Sequence, residues 1–298
     1  MDLAPITIFT YNRPWHTKKT IDALKDNHMA EKSDLIIFSD GPRSDDDKAY
    51  VESVRRYINV VTGFKKVIIV EREKNIGLSG SIISGVTEVM KQYGRVIVVE
   101  DDLVSSPYFL KFMNDGLDFY RDVENVISIH GYIYPVQGHL PDTFFLKGAD
   151  CWGWATWARG WAYFNPDGKH LLKGIKEGKL GEEFDYNGAY PFTKTLQDQT
   201  KGKNDSWAIR WHASAFLSEK LTLYPGRSLI RNIGTDLSGV HSGKTKVFDT
   251  EMSQEPITIS DIPIEENHVV KLKIKRYFRK IKPGIAERAK NNIVRIFR

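Results

Sequence analysis

Five short apolar runs in the first 130 residues constrain the fold more than any other feature of the chain. They are Ile6-Thr7-Ile8-Phe9, Leu35-Ile36-Ile37-Phe38, Val67-Ile68-Ile69-Val70, Val96-Ile97-Val98-Val99 and Val126-Ile127-Ser128-Ile129. Each is too continuously apolar to alternate between a core face and a wet face, so each reads as a strand covered on both sides. Helical patterns separate them. Pro14 suits a first helical turn; Ile82, Ile83, Val86, Val89 and Met90 form one apolar face that Gly94 would end; after Pro107, residues Phe109, Phe112, Met113, Leu117 and Tyr120 form another. This alternation predicts an α/β fold with a doubly wound, Rossmann-like mixed sheet, whose ligands sit at the carboxyl ends of the strands. From about residue 131 the alternation stops and aromatic residues and glycines rise, which predicts a second part packed over the strand ends.

Those strand ends carry polar residues that a packed core would not choose: Thr10-Tyr11-Asn12-Arg13, Ser39-Asp40-Gly41, Glu71-Arg72 running on to Asn75-Ile76-Gly77, and Glu100-Asp101-Asp102. Three adjacent carboxylates after four apolar residues repel one another unless a cation sits between them. A divalent metal is the simplest answer, and hard oxygen ligands favour Mg²⁺ or Mn²⁺; a solvated acidic turn capping the next helix is the alternative. Asp40 is placed to accept a hydrogen bond from a nucleobase N–H, or simply to form a turn before Gly41. Arg13 is placed to reach a phosphate. Asn75-Ile76-Gly77-Leu78-Ser79-Gly80 opens a helix and offers backbone N–H groups to a phosphate or sugar. It lacks the spacing of a P-loop or of a dinucleotide fingerprint, which excludes ATPase and NAD readings.

Downstream, Trp152, Trp154, Trp157 and Trp161 crowd ten residues. Aromatic faces stack on sugar rings, yet Trp154, Trp157 and Trp161 are also spaced like one buried helix face; Trp152 is the one expected to be functional and Trp161 the one expected in the core. Asp205 precedes the helical stretch from Ser206 and reads either as its N-cap or as a catalytic base. His241, between glycines, reads as a diphosphate or metal ligand on a loop, or as a structural histidine.

The 298 residues carry 43 Lys and Arg against 38 Asp and Glu, a net +5, with a pI near 9.0. The basicity belongs to the tail: residues 271–298 hold eleven basic residues and one acid, Glu287, a net +10, which leaves the rest at −5. Val270, Ile274, Tyr277, Phe278 and Ile281, and after Pro283-Gly284 Ile285, Ala289, Ile293, Ile296 and Phe297, fall at helical spacing. Two basic amphipathic helices are expected, lying on an anionic membrane surface with each basic residue adding on the order of 1 kcal/mol, or docked on their own domain. No nucleic-acid-binding motif accompanies the charge, so no nucleic acid partner is expected. The single cysteine, Cys151, excludes an internal disulfide framework and a Cys-rich zinc site. No apolar run is long enough to span a bilayer and the first residues do not form a signal peptide, so a cytoplasmic location is expected, peripheral at the inner face of the membrane.

In order along the chain, these motifs resemble the GT-A glycosyltransferases, specifically the inverting N-acetylglucosaminyltransferase I type and related bacterial family 2 enzymes. The resemblance runs over roughly residues 4–243. Pro5-Ile6-Thr7-Ile8 leads to Arg13; Ile36-Ile37-Phe38-Ser39-Asp40 resembles the strand whose Asp contacts uracil; Val98-Val99-Glu100-Asp101-Asp102-Leu103, then Ser106-Pro107-Tyr108-Phe109, resembles the family's DxD motif. Gly148-Ala149-Asp150-Cys151-Trp152-Gly153-Trp154 is similar to the acceptor-side segment, Asn204-Asp205-Ser206-Trp207 to the segment with the base, and Gly239-Val240-His241-Ser242-Gly243 to a late loop near the diphosphate.

The resemblance implies a UDP-sugar donor, GlcNAc or GalNAc favoured, bound by Thr10, Asn12, Arg13, Asp40, Asn75, Gly77, Glu100 and Asp101. It implies Mn²⁺ or Mg²⁺ at Asp102 with His241, acceptor or sugar contacts at Trp152, Gly153 and Trp154, and Asp205 as the base of a single, inverting displacement onto a glycan or lipid-linked oligosaccharide acceptor. Residues 1–243 would be the catalytic domain, with a donor part at 1–130 and an acceptor part at 131–243; residues 244–270 a wrapping segment or linker; residues 271–298 the basic tail. The base segment departs from the family, reading Asp-Ser-Trp where a second acid is usual, and the membrane anchor of the Golgi enzymes is not seen before the first strand; both point to a bacterial-type enzyme of surface-polysaccharide assembly. The alternatives are a sugar-nucleotide nucleotidyltransferase, although residues 10–20 lack its glycine-rich start, and a non-catalytic polysaccharide- or membrane-binding module.

Overall fold

A computed structural model of the chain describes residues 2–235 and 246–282. The first four apolar runs are strands: β1 (Ile6–Thr10), β2 (Asp34–Ser39), β3 (Lys66–Glu71) and β4 (Arg95–Glu100), paired in parallel in the order β3-β2-β1-β4. Their connections are the helices α1 (Pro14–Lys25), α2 (Asp45–Ile58) and α3 (Gly77–Tyr93). Pro14 opens α1, where its missing N–H would have no helical partner anyway. Gly94 ends α3 at φ 72°, a left-handed conformation that costs glycine little. Because β1→β2→β3 steps one way across the sheet and β3→β4 returns the other way, right-handed crossovers put α1 and α2 on one face and α3 on the other. The doubly wound sheet expected from the strand pattern is therefore present.

The remaining elements are β5 (Leu103–Ser105), α4 (Phe109–Phe119), β6 (Val126–His130), β7 (Thr143–Lys147), β8 (Trp154–Trp157), α5 (Ala158–Trp161), α6 (Gly168–Glu177), α7 (Gly181–Phe184), α8 (Phe192–Thr200), α9 (Trp207–Leu217), β9 (Leu221–Pro225), β10 (Ile230–Asn232) and α10 (His268–Ile281). Here the structure goes beyond the expectation of a part laid over the strand ends. Strands β8, β9 and β7 extend the sheet to eight strands, β3-β2-β1-β4-β8-β6-β9-β7, with β8 inserted antiparallel between β4 and β6, while β10 pairs with β5 in a separate ribbon. These strands pair with residues far away in sequence, β7 with β9 and β8 with β4, so no local alternation announced them.

Trp154 and Trp157 lie in β8, not on a helix, and three residues apart on a strand means opposite faces. The ring of Trp154 packs among Trp161, Trp207 and Trp211 on the α9 face, whereas Trp157 donates from Nε1 to the carbonyl of Leu117 in α4. Trp161 is in the core, as expected.

Residues 246–267 run along the body: the hydroxyl of Ser106 donates to the carbonyl of Ser253 at 2.6 Å and Tyr120 to that of Ser260 at 3.1 Å. They lead into α10, capped by the side chain of Asn267. Its apolar stripe, Val270, Ile274 and Phe278, is buried, with the Phe278 ring 4.6 Å from Tyr190 and 4.8 Å from Tyr134. The first basic helix is thus docked on the domain; the second, from Ile285 to Phe297, falls outside the described residues. Among those residues no helix is long and apolar enough to cross a membrane.

Candidate active site at the carboxyl edge of the sheet

Strands β1 and β4 are neighbours, with Phe9 opposite Glu100, and the chain leaves them in opposite directions across the sheet. That divergence opens the crevice in which α/β sheets hold ligands. Arg13, the residue before α1, turns into it. Its Nη1 lies 3.0 Å from Asp102 Oδ2, while Nη2 and Nε both reach the carboxylate of Asp101. The pair is sheltered: the side chain of Asp101 is 5% exposed and that of Arg13 18%. Burial works against the charge of Arg13, but Asp101 and Asp102 outweigh it and hold the guanidinium above its usual pKa. Burial raises the Asp101 carboxyl against the pull of Arg13, and burial followed by repulsion from Asp102 and Asp101 pushes Glu100 up to about 8. The cation between the carboxylates in this structure is a guanidinium.

The backbone fixes this cluster from both sides. Thr20 in α1 donates its hydroxyl to the carbonyl of Asp101 at 2.8 Å, and the N–H of Ile233 donates to the carbonyl of Asp102 at 2.8 Å. A Cβ at Gly234 would overlap the Asp102 carboxylate, so only glycine lets that carboxylate pack so closely against the chain there. Among the described residues no three His, Cys, Asp or Glu side chains converge as a closed metal cage. Two hard carboxylates on adjacent residues nevertheless suit an ion that binds through one or two carboxylates and takes its other ligands from water and phosphate. His241 lies outside the described residues.

The other expected donor-side residues are largely engaged with the protein. Asp40 is buried and its carboxylate accepts from the N–H groups of Ile76 at 3.0 Å and Gly77 at 2.9 Å. It therefore holds the start of α3 instead of standing free for a base. Asn75 donates to the carbonyl of Gly41 at 2.8 Å and Gly77, at φ 74°, makes the turn into α3. Asn12 donates to Asp47 at 2.7 Å, and Tyr11 to the other oxygen of Asp47 at 2.8 Å; burial, then that bond, pushes the Tyr11 phenol up to about 12. Thr10 is buried against β2.

Of the residues expected on the acceptor side, Asp205 is not the helix cap: Ser206 is, its hydroxyl accepting from the N–H of Ile209. The Asp205 side chain is 75% exposed and accepts from Arg210 Nη2 at 2.9 Å. Arg210, nearly buried, also donates to the hydroxyl of Ser79 at 2.5 Å, in the first turn of α3, and to the carbonyl of Ser206. Asp40 and Asp205 are thus both tied to the start of α3. Trp152 packs edge-on to Tyr132 at 4.7 Å, and the carbonyl of Gly153 accepts from Gly131. Trp154 is corrected: its ring is fully buried in the tryptophan cluster and out of reach of any sugar.

Arg210, Ser79, Asp47 and Gly234 were not singled out from sequence. Arg210 did leave a signal, as the one Lys or Arg within the apolar stretch Trp-Ala-Ile-Arg-Trp-His-Ala-Ser-Ala-Phe-Leu, since a cation on a buried helix is retained only where it is paired.

No curated protein matches the chain. Among solved structures, a mannosyltransferase from Pyrobaculum calidifontis in complex with GDP-Man and Mn²⁺ aligns at 14% identity and TM-score 0.33, over 45% of this chain and 38% of that one. TarS from S. aureus aligns at 12% identity and TM-score 0.39, over 76% of this chain and 59% of that one. A UDP-glucose pyrophosphorylase complexed with UDP-glucose aligns at 12% identity and TM-score 0.36, over 76% and 91%. The chain spans less than two thirds of the length of the first two. The family model described as glycosyl transferase family 2 matches residues 6–156, half of the chain, from β1 to β8 and across the whole acidic edge; with the doubly wound sheet described above, the chain belongs to that family and has its GT-A fold.

Proposed function

We propose that the protein is a metal-dependent inverting glycosyltransferase that moves a sugar, GlcNAc or GalNAc favoured, from UDP to a hydroxyl of a glycan or lipid-linked acceptor in surface-polysaccharide assembly. The observation that carries this reading is the meeting of Arg13, just after β1, with Asp101 and Asp102, just after β4, within the stretch that the family 2 model matches. Asp102, with Asp101, would hold Mn²⁺ or Mg²⁺, which when bound supplies a Lewis acid for the charge developing on the departing diphosphate. Arg13 offers a planar fork of donors to the same phosphates. Asp40 acts indirectly, by fixing the Ile76 and Gly77 amides at the opening of α3.

Asp205 is the proposed base. Its exposed carboxylate can meet an incoming hydroxyl, and Arg210 holds it in one orientation. A single displacement assisted by one base inverts the anomeric centre, whereas retention by double displacement would need a second carboxylate as nucleophile. Trp152 and Gly153 stay as proposed acceptor-side positions.

The tail reading narrows. With the inner stripe of α10 in the core, the outward side is what a membrane could meet: Val269 and Leu272, 67% and 50% exposed, followed by exposed Arg276, Arg279 and Lys280. We place the protein in the cytoplasm, peripheral at the inner face of the membrane through this side. Replacing Arg276, Arg279 and Lys280 by Glu should weaken binding to anionic vesicles and leave UDP binding unchanged; unchanged vesicle binding would remove the membrane from the account.

Incubation with Mn²⁺ and a panel of nucleotide sugars tests the activity. Transfer or slow donor hydrolysis from a UDP-sugar is expected, and no response to any nucleotide sugar, with or without metal, would overturn it. Pyrophosphate release from a nucleoside triphosphate would instead revive the nucleotidyltransferase reading.

A further inference from the structure

We propose that Arg13 is the resident counter-ion of the acidic edge and makes binding of the divalent metal conditional on the nucleotide. The inference rests on the metal-dependent reading above and concerns what this chain does before the donor arrives. The sequence marks Arg13 as a phosphate ligand; in the structure its fork spans Asp101 and Asp102, with Nη1 3.0 Å from Asp102 Oδ2, the oxygen a metal on Asp102 would also need. A dication on that oxygen would sit within a few ångströms of a fixed positive charge, so the two cations exclude each other there.

Release is governed by burial. Asp101 is nearly enclosed, and stripping a sheltered carboxylate of its partner without a replacement is strongly unfavourable. Arg13 therefore leaves only for another anion while a second cation takes its place. A diphosphate meets the first need, because it offers the guanidinium the same two-oxygen, planar match as a carboxylate. Arg13 lies outside β1 and makes no side-chain cap on α1, so it can change partners by side-chain rotation with the sheet undisturbed.

The size of the effect follows from occupancy. If the guanidinium holds the carboxylates in about 90–99% of molecules, the apparent affinity for metal alone falls roughly 10–100-fold, and removing the guanidinium restores it. By linkage, the factor by which nucleotide strengthens metal binding equals the factor by which metal strengthens nucleotide binding.

The test is titration of the full chain with Mn²⁺, followed by the electron paramagnetic resonance signal of free Mn²⁺, with and without UDP, for wild type, Arg13→Gln and Arg13→Lys. Wild type should bind Mn²⁺ weakly alone and about tenfold or more tightly with UDP. Arg13→Gln should bind Mn²⁺ alone roughly 10–100-fold more tightly than wild type, gain little from UDP, and melt at a higher temperature when Mn²⁺ alone is added. Arg13→Lys, a point charge that cannot span both carboxylates, should fall between them, and it carries the test if Arg13→Gln does not fold.

The proposal is overturned if the variants bind Mn²⁺ alone no better than wild type. It is equally overturned if they bind better by the same factor with and without UDP, which is a general charge effect with no exchange. A wild type that binds no Mn²⁺ even with UDP withdraws the metal reading itself, and this inference with it.

Discussion

Two arginine–carboxylate pairs, one at the start of α1 and one at the start of α3, are built in opposite ways. In the Arg13–Asp101 pair both partners are sheltered and the carboxylate is the deeper member, 5% exposed against 18%. In the Arg210–Asp205 pair the arginine is the buried member, at 8%, and the carboxylate stands out at 75%. A closed pair stores two charges that separate only by exchange with other ions, which suits a place where cation and phosphate arrive together. An open pair fixes the direction of a carboxylate while leaving its second oxygen to the solvent side, which suits proton removal from an incoming hydroxyl. On the proposed function, similar chemistry in two depths of burial would separate donor handling from base catalysis.

The contrast can be broken at its strongest point first. Asp102→Ala should remove metal-dependent UDP binding, seen by calorimetry as loss of the Mn²⁺-dependent heat, and reduce transfer to the limit of detection; retention of Mn²⁺-dependent binding would move the metal elsewhere. Asp205→Asn should keep UDP affinity and lose roughly 10²–10⁴-fold in turnover, the usual range for one general base. If both parameters fall together, Asp205 belongs to the donor site and the two pairs are not functionally distinct.

Arg210→Gln sharpens the second half of the comparison. Loss of the orienting contact should lower kcat by about tenfold with little change in the donor KM, since a misdirected carboxylate slows the step without weakening binding; a change confined to KM would make the Ser79–Arg210 contact a donor-site support instead. The smallest expected effect is at the cap. Ser206→Ala should lower stability by about 1 kcal/mol in a denaturant melt, by freeing the Ile209 N–H, and Ser206→Asp should restore most of it. No loss in Ser206→Ala would return the capping role to Asp205.

Much of residues 1–130 was legible because the signals there are local. Four residues of β-branched character followed by three acids can be read without knowing what they touch, and β1 to β4 appear where that pattern put them. Residues 131–243 were less legible because their determinants are long-range. Strand β8 is recognisable only once β4 and β6 are in place on either side of it, and Trp154 and Trp157, separated by a helical interval, turned out to occupy opposite faces of a strand. At the site itself, sequence identified Arg13, Asp101 and Asp102 but not that the first neutralises the other two. It also identified Asp40 but not its hold on the Ile76 and Gly77 amides, a contact across 36 residues. Arg210 and Ser79, 131 residues apart, share no local pattern at all. What escaped was pairing across the fold, because charge and hydrogen-bond complementarity depend on which elements meet.

The central claim is that the β1–β4 edge binds a nucleotide sugar through a divalent metal and breaks its anomeric bond. Measuring UDP released from UDP-GlcNAc and UDP-GalNAc by the full chain, with Mn²⁺ and then with the metal chelated by EDTA, tests it most directly. Release that requires Mn²⁺ is the predicted result; release that is unchanged by EDTA, or absent from both donors under every condition, would contradict it.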